Sequence, residues 1–158
     1  MSVFMKVDGI DGDATEANHM KWLRVLSVNM GASRAITTPI GEGPNRESSL
    51  PSISEISIAR ELDGASPQLF QEAVIGAKGK NIQIDFVTAG NPGEIYLTYK
   101  LTNTLISSYS AGSSGDRPVE QLSLNFTKIE ISYKGTKDDR GAGGEKRASF
   151  DLATSKSS

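Results

Sequence analysis

Between Pro118 and Lys134 the chain alternates apolar and polar residues and then changes phase. Leu122, Leu124 and Phe126 alternate with Gln121, Ser123, Asn125 and Thr127, the period of a strand with one buried face. Beyond this point Ile129, Ile131 and Tyr133 carry the apolar side chains on the opposite parity. A slip of one residue exchanges the faces of a strand. Either a bulge near Thr127-Lys128 absorbs the extra residue, or the strand bends and serves two sheets. The pattern favours the bend, in a small closed or nearly closed β structure to which the rest of the chain must supply partners.

Those partners are visible along the chain. Val3, Met5 and Val7 mark a first strand, followed by turns at Asp8-Gly9 and Asp11-Gly12-Asp13. Residues 21–30 predict a second strand, with Trp22, Arg24, Leu26, Val28 and Met30 on one face and Leu23 and Val25 on the other. Residues 31–54 hold Pro39, Gly41, Gly43, Pro44 and Pro51 and repeat at neither 2 nor 3.6. They predict a long loop, and loops of that length in compact domains are commonly functional. Ile36, Ile40 and Leu50 are poor choices for a loop lying free in water and point to packing against another subunit. Residues 55–62 form a third strand. Ser66-Pro67 then opens a helix, with serine as the cap and proline at the first helical position. Its stripe is Leu69, Phe70, Ala73, Val74 and Ala77, and Gly79 ends it. One greasy side should cover a mouth or face of the β structure. Residues 81–89 and 94–109 are two further strands joined by a tight connection at 90–93. The second of these is long enough to bend around a barrel. A Gly/Ser turn at 110–116 leads into the phase-changing strand, a mobile loop at 135–147 follows, and Ala148, Phe150 and Leu152 form a short last strand before a polar tail. The pattern is a single α+β domain over residues 1–158, mainly antiparallel β.

Composition narrows the classes. The 158 residues carry 37% hydrophobic and 23% charged side chains and a net charge of −2, so no basic field invites nucleic acid. Cysteine is absent, which removes disulfides, thiol nucleophiles and thiolate metal sites. No apolar run is long enough to cross a bilayer, and the start of the chain has no basic-then-apolar leader. The chain is therefore expected in the cytoplasm, or exported by a machine that needs no cleaved signal.

Candidate chemistry is sparse. His19, the only histidine, could be a general base, but no acid–His–Ser constellation accompanies it. A structural hydrogen-bonding role is the better reading. Asp11, Asp13 and Glu16 lack the full spacing of a calcium loop. The glycine pairs around Gly41 and Gly141 lack the strand-to-helix context of a phosphate loop. Glu55, Glu61 and Asp63 could act as paired carboxylates, yet read more simply as a solvated strand face. Tyr96, Tyr99, Tyr109 and Tyr133 could stack on sugars, though tyrosine is also a favoured strand residue. No catalytic, cofactor or metal residue is assigned. Long strands with open edges favour a protein whose task is assembly.

Several stretches together resemble the haemolysin-coregulated protein (Hcp) family, the tube subunit of bacterial type VI secretion. They are Phe4-Met5-Lys6-Val7-Asp8-Gly9-Ile10-Asp11-Gly12-Asp13, Glu55-Ile56-Ser57-Ile58-Ala59-Arg60-Glu61-Leu62-Asp63, Ser66-Pro67-Gln68-Leu69, and Asn103-Thr104-Leu105-Ile106-Ser107-Ser108-Tyr109. Glu120 with residues 122–129 and Tyr133 completes the set, and His19 falls where the family often has a histidine. The resemblance covers nearly the whole chain and departs from the family at residues 26–31, where many relatives carry tryptophans. It implies two packed antiparallel sheets forming a barrel-like core with one flanking helix, and no catalytic activity. It also implies a homo-hexameric ring, rings stacked into a tube, a sheath and baseplate around it, a spike trimer on its tip, and small effectors in its lumen. Such a subunit waits in the bacterial cytoplasm and is then secreted without a cleaved signal peptide. In that frame Ile40, Leu50, Gly90 and Asn91 are expected at the contact between rings, and Asn29 and Ser33 at the lumen. A phage-type tail-tube protein, a monomeric carbohydrate-binding β module and a hydrolase are the competing readings.

Overall fold

The computed structural model describes residues 1–41, 47–90, 93–135 and 144–157. In chain order its elements are β1 (Ser2–Val7), β2 (Leu23–Val25), β3 (Ser27–Asn29), β4 (Ala32–Ser33), β5 (Ile36–Thr37), β6 (Glu47–Ser48), β7 (Ser52–Ile53), β8 (Ile56–Glu61) and α1 (Ser66–Ile75). They continue as β9 (Lys80–Val87), β10 (Ile95–Gly112), β11 (Val119–Asn125), β12 (Lys128–Lys134), β13 (Glu145–Asp151) and β14 (Lys156–Ser157).

The 18-residue β10 is the axis. Its first half pairs with β9 on one side and β12 on the other, while its second half pairs with β11. Two antiparallel sheets therefore share it: β14-β13-β12-β10-β9-β1-β2 and β10-β11-β8-β3. The phase change read near Thr127-Lys128 is the corner, at Phe126-Thr127, where the chain leaves one sheet as β11 and enters the other as β12. The Thr127 amide still donates to the Thr102 carbonyl at 3.1 Å there. The bend lets Leu122, Leu124, Phe126 and Ile129 all enter one core. β10 makes its own corner with irregular register between Leu101 and Thr104 and between Ile106 and Ser108, and with Asn103 in the left-handed region at φ 52°.

On the far side the chain itself joins the sheets. The strand expected over residues 21–30 is two strands, because at Leu26 the chain steps from β2, the edge of the first sheet, to β3, the edge of the second. The Leu26 amide donates to the Ala59 carbonyl at 2.8 Å. Leu23 and Val25 are the buried residues here, and Arg24 and Leu26 face out, the reverse of a face led by Trp22, Arg24 and Leu26. With two shared corners the pair of sheets is barrel-like, and Met5, Val7, Leu23, Ile56, Ile58, Leu69, Ile82, Ile84, Leu101, Leu122 and Leu124 fill it.

Other expectations are corrected. The loop over residues 31–54 contains two short ladders, β4 with β7 and β5 with β6. Each strand is two residues long, too short to leave a period in the sequence. β10 continues to Gly112, so the following turn is shorter than 110–116. The last strand starts at Glu145 and pairs with the whole of β12, its charged half hidden from an apolar search. The polar tail supplies β14, which pairs with β13 only at Phe150 and Asp151. Along Glu145, Lys146 and Arg147 no strand lies on the outer side of β13 among the described residues.

α1 begins at Ser66, one residue before the expected Pro67, so Ala65 and not Ser66 is its cap residue, and no side chain caps it. It ends at Gly76, whose amide donates to Glu72 O at 3.0 Å, and not at Gly79. Gly79 serves close approach instead: a Cβ there would lie 1.7 Å from Asn103 Oδ1. Of the helical stripe Leu69 is buried and Ala73 half-buried, Phe70 and Val74 are exposed, and Ala77 lies beyond the helix; Ile75, outside the stripe, is exposed as well. The helix thus has a second apolar side turned to solvent.

Leu124 is wholly buried, so Leu124→Ala should cost about 2–5 kcal/mol in urea unfolding followed by Trp22 emission. Gly79→Ala should destabilise although it adds only a methyl group, and Asn103→Gly in the same chain should restore part of the loss by removing the facing side chain.

Candidate assembly surface and its buried polar support

Arg60 and Glu120 occupy core-facing positions on paired strands, β8 and β11, and lie opposite one another in register. Arg60 is 1% and Glu120 0% exposed. A charge removed from water this completely needs partners on every side. Arg60 Nη1 donates to Glu120 Oε1, and Nη2 donates to Asp63 Oδ2 at 2.5 Å. Nε donates to the Arg24 carbonyl at 3.3 Å. Glu120 also accepts from Ser66 Oγ at 3.2 Å and from the Tyr109 hydroxyl at 2.6 Å. Asp63 Oδ1 accepts the Ala65 amide at 2.9 Å, and the Asp63 amide donates to Ser66 Oγ at 3.0 Å. Ser66 is thereby drawn away from capping its own helix. Burial and the bond to the Glu120 carboxylate push the Tyr109 phenol up to about 12. Burial pushes the Asp63 carboxyl up, but the hydrogen bonds from Arg60 and Ala65 outweigh it and leave the group below the ordinary value.

A second network lies on the outer face of the first sheet. Residues 11–22 cross that face as a strap, with Gly12 so close that a Cβ would meet the Trp22 carbonyl at 2.5 Å. Phe4, Ala14 and Val87, with Trp22 beside them, form a small cluster beneath it. His19 is buried here, stacked on Phe4 at 4.7 Å and edge-on to Trp22 at 4.6 Å. Its Nδ1 faces Glu16 Oε2 and its Nε2 faces Asp85 Oδ2 at 2.9 Å. Asp85 is bonded further to Gln83 and Thr98. His19 is thus a buried hydrogen-bonding residue holding the strap. The hydrogen bond with His19 holds the Glu16 carboxyl below its usual value. Among the described residues no group of three or more His, Cys, Asp or Glu side chains is placed to hold a metal ion, and no helix is long and apolar enough to cross a membrane.

The outer face of the second sheet is different. Ser27, Asn29, Ser57, Ala59, Ser108, Ser110, Gln121 and Ser123 line a shallow depression of about 170 Å³, small, uncharged and rich in hydroxyl groups. Charge returns only at the ends, where Glu61 pairs with Arg117 and Glu55 accepts from Ser107 and Asn125. Of the carboxylates considered together, Glu55 and Glu61 are exposed while Asp63 is buried in the Arg60 network. The second sheet ends at β3 on one side and at the second half of β10 on the other, neither of which has a further strand partner among the described residues. α1 lies beside that half of β10, with the Phe70 and Tyr109 rings edge to face at 5.6 Å. Phe70, Val74 and Ile75, 54–66% exposed, continue the apolar surface outward.

The residues singled out in the sequence do not converge on one spot. Asn29 lies in β3 on the hydroxyl-rich face and Ser33 in β4, both exposed. Ile40 is fully exposed in a turn after β5, and Leu50 is exposed between β6 and β7. Gly90 lies in a bend after β9, and Asn91 is outside the described residues. The Arg60–Glu120 pair was not singled out, yet it had a signal: two opposite charges, each on the buried parity of a strand.

Known proteins share this architecture. The family model described as "Type VI secretion system effector, Hcp" matches residues 4–133. A solved structure described as that of a type six secretion system protein superposes with a TM-score of 0.88 at 27% identity, covering 99% of each chain. A type VI secretion system effector from Yersinia pestis follows with a TM-score of 0.74 at 29% identity, over 94% of this chain and 98% of that one. The fold is thus that of a type VI secretion protein. Protein hcp1 of Pseudomonas aeruginosa is 25% identical over 142 residues, 88% of this chain and 86% of its own. The chain belongs to the Hcp family of type VI secretion.

The titrations fix a pH dependence. Asp63 and Glu16 titrate below their ordinary values in the fold, so the stability they supply is full above the ordinary carboxylate range and drains as pH falls through their folded values. Tyr109 titrates above its ordinary 10.0, so its contribution is full below that pH and is lost as pH rises toward about 12. The alkaline limb of the melting temperature should flatten in Tyr109→Phe. The same variant should lose about 1–3 kcal/mol at neutral pH, because Glu120 loses a buried donor.

Proposed function

We propose that the chain is the tube subunit of a type VI secretion system, a non-catalytic single-domain protein that closes head to tail into rings of six. The rings stack into a tube that is expelled with the spike by a contracting sheath anchored on a baseplate, with small effectors in the lumen. The subunit waits in the bacterial cytoplasm and leaves it without signal cleavage.

One observation carries the reading: the second sheet has two different open ends. Beside one end, at β10, lies the exposed apolar side of α1. At the other, Leu26 and Met30 flank β3 and are themselves exposed. A contact between unlike patches generates a ring when the rotation closes. Open strand edges flanked by apolar residues supply both backbone hydrogen bonds and area for it. In such a ring the hydroxyl-rich face with Asn29 turns to the lumen, and Ser33 continues it along the 31–54 arm. A lining without large apolar groups or net charge lets cargo ride without adhering firmly. Ile40, Leu50, Gly90 and Asn91 are assigned to the contact between rings.

Light scattering and negative-stain microscopy of the purified protein test this directly. Six-membered rings are expected, and a lone subunit at high concentration would overturn the reading. Phe70→Glu should convert rings to subunits. Ile40→Asp should shorten tubes while sparing rings, and loss of the ring in that variant would show that Ile40 is wrongly assigned.

A further inference from the structure

We propose that Glu120, buried and acting through Tyr109 and Ser66, is the positioning residue of the ring contact, setting the exposed side of α1 against the open edge of β10. The inference rests on the ring reading above and adds what controls its strength.

Three elements meet on this one carboxylate. Arg60 of β8 holds it by an ion pair. Ser66, the first residue of α1, donates to Oε1 at 3.2 Å, and Tyr109, in the half of β10 without a second strand partner, donates to Oε2 at 2.6 Å. Tyr109 in turn supports the exposed Phe70 ring, with ring planes at 72°. One turn of helix separates Ser66 from Phe70, so the same anion fixes the root of α1 and, through the tyrosine, the first large side chain of its outward face.

The helix gives up something for this arrangement. Ser66 Oγ serves Glu120 and Asp63, and α1 begins without a side-chain cap. Buried ion pairs are weak stabilisers compared with well-packed apolar side chains of the same volume, and one attested use for them is to specify a geometry. An apolar trio at Arg60, Glu120 and Tyr109 would fill the space but leave α1 free to slide along the sheet. Four hydrogen-bonded groups around one guanidinium and one carboxylate do not allow that slide.

The test is the concentration at which rings dissociate on dilution, read by mass photometry, together with the melting temperature of each variant. Tyr109→Phe keeps the ring shape and removes only the hydroxyl. It should raise the dissociation concentration tenfold or more, and Glu120→Gln should raise it at least as far. His19→Gln provides the comparison, because it breaks a buried network on the first sheet, where His19 bonds Glu16 and Asp85. It should lower the melting temperature without moving the dissociation concentration. If Glu120→Gln fails to fold, Tyr109→Phe decides alone. If Phe70→Glu breaks the ring while Tyr109→Phe dissociates like the unaltered protein, the positioning role is overturned and the ring reading stands. If His19→Gln shifts dissociation as much as Tyr109→Phe at equal melting temperature, the effect is general stability and the proposal is overturned. If Phe70→Glu leaves rings intact, the α1 contact itself falls, and this inference with it.

Discussion

A strand that belongs to two sheets must satisfy two sets of neighbours with one backbone, and β10 lives under that constraint. Over its first half both edges are hydrogen-bonded, to β9 and β12; over its second half one edge is bonded, to β11. Backbone groups left without partners are costly when buried. The unmatched half can therefore only face solvent, a covering element or another chain. The corner at Asn103, the corner at Phe126-Thr127 and the step at Leu26 all follow from bending two sheets around a shared axis. The placement of α1 beside the unmatched half follows as well.

The polar interior is organised by the same geometry. Two networks hold the ends of the structure that packing alone leaves loose. One, around Arg60 and Glu120, ties the root of α1 to β8, β11 and β10. The other, around His19 and Asp85, ties the strap of residues 11–22 to the outer face of the first sheet. Arg60, Glu120, His19 and Asp85 are withdrawn from water and surrounded with donors and acceptors, while Glu16 stays partly exposed at the rim of its network. The surfaces then divide: a neutral, hydroxyl-bearing face on one sheet and a strapped face on the other.

Much of the fold was legible in the sequence because it depends on period and phase. The phase slip near Thr127-Lys128 announced a corner between two sheets, although the chain breaks there into β11 and β12. The strand both sheets share is β10, whose length in the 94–109 pattern announced a bend. Illegible features share a different cause. The break at Leu26 leaves apolar residues on both parities, which an interior strand also does. The ladders within residues 31–54 are shorter than one period. The outward apolar side of α1 looks the same, in a helical wheel, as a side that meets the core; only the position of Leu69 in three dimensions tells them apart. Glu120 and Arg60 were readable as misplaced charges, but their meeting required the register of β8 on β11.

The border of β13 has a consequence of its own. Glu145, Lys146 and Arg147 stand along it, Arg147 clasping Glu145 at 3.0 Å and reaching Glu130. A neighbouring strand that tried to dock there would have to strip water from three charged side chains. The molecule thus leaves two edges of the second sheet open, at β3 and at the second half of β10, and guards the start of β13 with charge. Sheet extension is thereby steered away from the start of β13, the kind of charged border that guards an edge against unplanned strand pairing.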